Sequence, residues 1–124
     1  YFFNIRGLKD KRFPPEIEIA LFRIVQEAVV NISKHSDAEN VVLDMEANDD
    51  FIRMEIRDDG RGFDMGLLFD REGHHLRDGR GLGIMGMKER ASLINGNLEI
   101  ISSPGEGCTV SLTIPLKSLE KGYA

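Results

Sequence analysis

Two stretches of alternating apolar and polar residues, divided by a short acidic turn, constrain the fold of this chain most. Residues 41–47 alternate in this way, residues 52–57 do the same, and Asn48, Asp49 and Asp50 lie between them. A period of two is typical of strands with one buried face, and Asn and Asp favour tight turns. The pattern therefore predicts an antiparallel hairpin.

A helix is predicted before this hairpin. Phe13-Pro14-Pro15-Glu16 is typical of a helix start, since proline is tolerated in the first turn and acids are favourable there. The helix is expected to extend to about Ser33. Its core face is predicted from apolar residues at helical spacing: Ile17, Leu21, Ile24, Val25, Ala28 and Ile32.

A second helix and a second hairpin are predicted after residue 80. The helix is expected to begin at about Leu82 and to end at Asn95-Gly96. Its apolar stripe is predicted to comprise Met85, Ala91, Leu93 and Ile94. Strands are expected at 98–102 and 108–114, around the turn at 103–105. This order of elements predicts an α/β (α+β) two-layer sandwich, with helices on one face of a mixed sheet.

Size and charge exclude several classes of protein. The chain has 124 residues, with 41% apolar and 30% charged residues, which fits one globular domain. A formal net charge of −5 argues against nucleic acid as the main partner. One cysteine, Cys108, excludes an internal disulfide and favours the reducing cytoplasm. No apolar run is long enough to span a bilayer. The first residue is Tyr1 and not Met, so the sequence is expected to be a fragment of a longer protein.

Asp58 is the first candidate binding residue. Strand parity places it with Ile52, Met54 and Ile56 on the inward face, where an ionised carboxylate is costly without a hydrogen-bond donor. A ligand could supply that donor. The alternative is an ordinary turn after the strand, since Asp-Gly dipeptides favour turns.

Two further groups carry possible chemistry on the first helix. Glu27 and Asn31 are four residues apart and share one side of the helix, where a carboxylate and an amide oxygen could orient Mg²⁺ or water. Lys34 and His35 extend that side and could add positive charge for phosphate. The alternative for both groups is a solvated helix surface.

A glycine-rich run precedes the second helix, at Gly79, Gly81, Gly83 and Gly86. Free backbone N–H groups at a helix start can face an anion, so the run is a moderate indication of phosphate binding. A flexible hinge is the alternative. The run is not a Walker P-loop, because no Gly-Lys-Ser/Thr ends it.

Taken in order, these motifs resemble the Bergerat-fold ATPases, which include histidine kinases, gyrase, heat-shock chaperones and mismatch-repair ATPases. The segments FPPEIEIALFRIVQEAVVNISKHSDAENV and GLGIMGMKERASLINGNLEI are similar to sensor histidine kinases that pair with helix-turn-helix response regulators of the nitrate-regulator type. The resemblance covers about Phe13 to Pro115. It implies an ATP-binding catalytic domain at 13–116, after a linker or N-terminal strand at 1–12 and before a tail at 117–124.

The resemblance also implies roles for single residues. Asn31 would ligate Mg²⁺, and Glu27 would help to organise the metal or the reacting group. Asp58 would accept a hydrogen bond from the adenine amino group. Other predicted contacts of ATP are the glycines beside the base and phosphates and two basic residues: Gly60, Gly62, Gly81, Gly83, Gly86, Lys34 and His35. Residues from about 64 to 80 would form the ATP lid.

The last strand departs from the family pattern. The family usually has Gly-Thr at this strand start, and Cys108 stands at the threonine position with Thr109 next. The family threonine supports the adenine-binding aspartate, so both residues are candidate ATP contacts. The alternative for Cys108 is a small buried hydrophobe on the inward face.

The expected activity is transfer of the ATP γ-phosphate to a histidine on a separate dimerisation domain of the same two-component kinase. None of His35, His74 and His75 is assigned as the acceptor, so the isolated fragment is expected to bind ATP without phosphorylating itself. The expected partners are that domain and, through the full-length protein, a response regulator. Two alternatives remain, an anti-sigma-factor-type serine kinase and a non-catalytic nucleotide-binding module.

Overall fold

The fold was analysed in a computed structural model that describes residues 1–7, 13–65 and 80–116. In chain order the elements are β1 (Phe2–Arg6), α1 (Pro15–His35), β2 (Val41–Ala47), β3 (Phe51–Asp58), α2 (Arg80–Leu93), β4 (Asn97–Ser102) and β5 (Cys108–Pro115). Most of the predicted lid, the paired histidines and Gly79 lie outside the described residues, as does the predicted tail. Within the described residues, no helix has the length and apolar character needed to cross a membrane.

The strands form one five-stranded mixed sheet in the order β1-β2-β3-β5-β4. β1 pairs in parallel with β2, and the other neighbouring strands pair antiparallel. Both predicted hairpins are present, and β1 lies in the segment predicted to be a linker or a strand. The predicted two-layer arrangement of a mixed sheet with helices is confirmed.

Helix α1 begins where its sequence favours a start. Pro15 occupies the first turn with Glu16 and Glu18, and the helix ends at the C-cap Ser36. Asp37 then adopts a left-handed conformation with φ of 52°. Asp tolerates this region better than most non-glycine residues. The turn directs the chain back toward the start of β2.

The core lies between the helices and the inward face of the sheet. On α1, Ile17, Ala20, Ile24 and Ala28 are buried, and Leu21, Val25 and Ile32 pack against them partly buried. On β3, the inward residues Ile52, Met54 and Ile56 are no more than 2% exposed. The core face predicted for α1 is thus in contact with the sheet.

The apolar stripe predicted for α2 is half wrong. Ala91 and Ile94 are buried as expected, but Met85 is 40% and Leu93 84% exposed. Among the described side chains of α2 and the residue after it, the buried apolar ones are Ile84, Met87, Ala91 and Ile94. These positions follow the three-then-four spacing of a helix face, which Met85 and Leu93 do not share.

Candidate nucleotide-binding site

A small cavity lies between α1 and the inward ends of β3, β4 and β5, with α2 on a further side. Its polar lining consists of Asn31, His35, Ser36, Asp58 and Cys108, and the remaining lining is almost entirely apolar. The space open to the centre of a water molecule is about 30 Å³, which is enough to hold water.

Asp58 ends the buried row of β3 and reaches this cavity. In the sheet its residue partners are Val41 on β2 and Cys108 on β5. One carboxylate oxygen accepts a hydrogen bond from the Gly60 N–H at 2.9 Å. An ordinary turn after the strand would contain the same hydrogen bond. Asp58 therefore both forms the turn and lines the cavity.

The structure separates the two residues predicted to act together on α1. Asn31 lines the cavity, and so does His35 one turn later. Glu27 instead lies in a cleft between the two helices, where its neighbours include Arg23, Gly83 and Arg90. Glu27 and Asn31 are one helical turn apart but line different openings of the molecule, and their joint role stays a prediction.

Gly60 and Gly62 are explained by contacts of the chain with itself. A Cβ at Gly60 would overlap the carbonyl and hydroxyl oxygens of Ser36. Gly62 has a φ of 63° and faces the carbonyls of Ser103 and Gly107 in the β4–β5 turn. Gly62 also lines the cavity, whereas Gly60 packs behind it. Close backbone packing accounts for both glycines, whatever occupies the cavity.

The glycines of α2 differ in what their backbone can offer. The first four N–H groups of a helix have no partner within that helix. Gly81 lies in the first turn of α2, which begins at Arg80. The N–H of Gly86 lies deeper, where it donates to the carbonyl four residues earlier. An intact α2 can therefore present the N–H of Gly81 to an anion but not that of Gly86.

Two predicted ATP contacts lie outside the cavity lining. Thr109 points to the opposite face of the sheet from Cys108 and Val110, because successive strand residues alternate, and it is paired with Arg57 and Ile101. Thr109 is thus not among the residues that line the cavity, and its contact with ATP stays a prediction. Lys34 is exposed on α1 and is not among the lining residues.

Sequence reasoning missed Ser102 and Phe63. The buried Ser102 hydroxyl donates to the Gly107 carbonyl at 2.7 Å and accepts from the Phe63 N–H at 3.0 Å. Phe63 is buried and forms part of the cavity wall. In the sequence, the only indication of this contact is a serine at the inward end of β4. Its role becomes clear only in the fold, where the loop after β3 lies beside it.

The chain matches a known family of ATPase domains. The family described as histidine kinase-, DNA gyrase B- and HSP90-like ATPases matches residues 16–118. The chain belongs to this family, and the predicted relationship to the ATP-binding domains of sensor histidine kinases is confirmed.

Among curated proteins, the chain is similar to the signal transduction histidine-protein kinase/phosphatase DegS of Bacillus subtilis, with 37% identity over 116 residues. That alignment covers 94% of this chain and 29% of DegS. DegS of Brevibacillus brevis is 38% identical over 112 residues, which cover 90% of this chain and 27% of that protein. The chain thus spans less than a third of the length of these relatives.

Solved structures show the same fold at lower identity. The histidine kinase domain of the blue-light activated histidine kinase of Erythrobacter litoralis EL346 has a TM-score of 0.67 and 21% identity, covering 97% of this chain and 57% of that one. Full-length ShkA in complex with AMPPNP has a TM-score of 0.62 and 23% identity, with 77% and 21% covered.

Proposed function

We propose that this chain binds Mg-ATP in the cavity between α1 and β3, and that it donates the γ-phosphate to a histidine on a separate dimerisation domain of the same two-component kinase. The single observation that carries the proposal is that Asn31 and Asp58, from different elements, line one cavity. Family membership supports ATP as the ligand. The proposed setting is the cytoplasm, with a response regulator as the later phosphate acceptor.

In this proposal Asp58 accepts a hydrogen bond from the adenine amino group. Asp58 is a charged residue in a largely apolar lining. This combination suits a flat base with one polar edge and is the usual character of small-molecule sites. Gly62 and Cys108 lie along the base. The phosphates extend toward α2, where Gly81 can donate its N–H and where Gly83, Lys34 and His35 lie within the same region of the fold.

Asn31 is the proposed protein ligand for Mg²⁺. Mg²⁺ is commonly held by few protein oxygens together with substrate phosphates and water, so one amide oxygen beside the phosphates fits this ion. The described residues contain no cluster of three or more His, Cys, Asp or Glu residues that could hold a metal alone. When bound, the ion would neutralise phosphate charge. Glu27 would act on the metal or the reacting group only after leaving its contact with α2.

Calorimetric titration with ATP tests the pocket. Asp58→Ala should weaken binding about 10- to 100-fold, as expected for loss of a hydrogen bond to a charged group. Asn31→Ala should remove most of the difference between titrations with and without Mg²⁺, while Asp58→Ala should retain that difference. Asp44→Ala is the matched control, since Asp44 lies on the outer face of the sheet in ion pairs with Arg6 and Arg57. Undiminished binding by Asp58→Ala would refute the pocket assignment.

Transfer is tested with the separately expressed dimerisation domain and γ-labelled ATP. The proposal expects label on that domain, in a linkage that acid hydrolyses as it does phosphohistidine. An acid-stable label on a partner would favour serine phosphorylation instead. Binding of ATP without any transfer would favour a non-catalytic nucleotide-binding module.

A further inference from the structure

Arg61 joins the loop after β3 to the end of α1. Its guanidinium donates from Nε and Nη2 to the His35 carbonyl oxygen, at 3.0 and 2.6 Å. The same group lies 3.4 Å from the Asp37 carboxylate. The last carbonyls of a helix lack partners within the helix, and a cation is favourable at that end. Arg61 therefore caps α1 from another element.

The backbone of Arg61 extends this connection in two directions. Its N–H donates to the Ser36 carbonyl at 2.7 Å, and its carbonyl accepts from the Gly105 N–H at 2.6 Å. Ser36 follows α1, whereas Gly105 belongs to the β4–β5 turn. Arg61 thus connects the C-terminal end of α1 to the β4–β5 hairpin.

Asp59 connects the same loop to the segment between α1 and β2. Its carboxylate accepts from the N–H groups of Glu39 and Asn40, each at 2.9 Å, and from the Asn40 side-chain amide at 2.8 Å. The Asp59 N–H donates back to the Asn40 carbonyl at 3.2 Å. Since β2 begins at Val41, these bonds hold the chain where it turns from helix to sheet.

The contacts of Asp59 and Arg61 lie directly behind the cavity. His35 and Ser36, which Arg61 and Gly60 contact, both line it, and Asp58 is the residue before Asp59. Asn31 is one turn earlier on the helix that Arg61 caps. The separation between the α1 wall and the β3 wall of the cavity therefore depends on these two side chains, which themselves do not line it.

We infer that Asp59 and Arg61 are positioning residues for the nucleotide, which hold Asn31 and His35 on α1 at a set distance from Asp58. This inference rests on the proposed function. An exposed ion pair alone would contribute little, and the Arg61 side chain is 63% exposed. The two bonds to a helix-end carbonyl are what give Arg61 a role beyond surface charge.

The test is ATP affinity at a temperature where circular dichroism shows every variant to be folded. Arg61→Gln and Asp59→Ala should each weaken Mg-ATP binding about tenfold, the effect of losing a charge-assisted hydrogen bond. Arg61→Lys should recover part of the affinity, because an ammonium group can donate to the His35 carbonyl. Arg57→Gln is the matched control, as Arg57 forms exposed ion pairs with Asp44 and Glu55 on the outer face.

A second control separates positioning from general destabilisation. Met45→Ala removes a partly buried side chain of the core that does not line the cavity. It should lower the melting temperature and leave ATP affinity within about twofold. If Met45→Ala loses as much affinity as Arg61→Gln, or if Arg61→Gln binds like wild type, the inference is overturned. Failure of the wild-type chain to bind ATP would instead refute the proposed function, and the inference with it.

Discussion

The carboxylate of Glu27 on α1 lies against the backbone of Gly83 on α2, where a Cβ at position 83 would meet Glu27 Oε1. At Gly86, one turn later, a Cβ would meet no atom within 4 Å. Two glycines of the same helix thus differ in their surroundings. The contact between the helices depends on the absence of a side chain at only one of them.

Alanine substitutions at these two glycines should therefore differ in their effect on stability. Gly86→Ala should raise the free energy of unfolding by about 0.5–1 kcal/mol, because alanine costs less backbone entropy inside a helix. Gly83→Ala should raise the free energy of unfolding by less, because the new Cβ would displace the Glu27 carboxylate. The measurement is urea denaturation.

The double variant Gly83→Ala/Glu27→Ala supplies the control for this comparison. Removal of the Glu27 carboxylate should restore the gain at position 83, which would appear as a coupling energy in the double-mutant cycle. Equal stabilisation by the two single alanine variants would contradict the contact.

Protonation of Asp59 should reduce stability in acid. Hydrogen bonds from Asn40, with a further one from Glu39, hold the pKa of the Asp59 carboxyl below its ordinary value of 3.8. A depressed folded-state pKa contributes stability above the unfolded-state value, and that contribution is lost as pH falls through the folded-state pKa. The melting temperature of wild type should therefore exceed that of Asp59→Asn at pH 7, and the gap should narrow in strong acid.

Asn40→Ala is the control for this titration. It removes the side-chain donor at 2.8 Å and retains the two backbone donors to Asp59. The melting temperature of Asn40→Ala should lie below that of wild type at pH 7 by less than that of Asp59→Asn does. This difference from wild type should narrow only in part in acid. A gap between wild type and Asp59→Asn that is independent of pH would show that the charge of Asp59 has no part in it.

Ser102→Ala should destabilise the chain by about 1–3 kcal/mol, the usual cost of leaving buried hydrogen-bonding groups without a partner. The substitution removes the acceptor of the Phe63 N–H and the donor to the Gly107 carbonyl. Chemical denaturation measures the loss. The neighbouring Ser103 is exposed, and Ser103→Ala should change the unfolding free energy by no more than about 0.5 kcal/mol. Equal effects at both serines would contradict the buried role of Ser102.

Cys108→Thr should leave ATP affinity unchanged or tighten it. Cys108 is half-buried on the cavity wall and is the sheet partner of Asp58. A hydroxyl is a stronger donor and acceptor than a thiol, so threonine can support the carboxylate better. Calorimetry with ATP gives the comparison. A large loss of affinity would show that the position requires a small apolar group.

Regular elements with strong periodicity could be predicted from the sequence. The α1 core face and both hairpins followed from spacing alone, because each buries one continuous row. Helix α2 resisted this reasoning because glycines occupy part of its first half and the remaining apolar residues fit more than one face. Only contact with α1 and the sheet selects Ile84 and Met87 over Met85 and Leu93.

The candidate site was predictable where a residue acts through its own strand or helix position. Strand parity directed Asp58 inward, and the same parity excludes Thr109 from the cavity. Arg61 and Ser102 could not be predicted, because their partners are distant in sequence and are brought close only by the folded loop. Helical spacing relates Glu27 to Asn31 but does not reveal that Gly83 of α2 packs against Glu27.

Strand β1 has a consequence for how the domain moves. All five of its residues are exposed, and in the described part of the chain it is an edge strand paired with β2 alone. Few buried contacts oppose its detachment, so its amides should exchange with deuterium through local fraying, well before those of β3 and β5. A pull on residues 1–7 would therefore peel this strand away while the cavity stays intact.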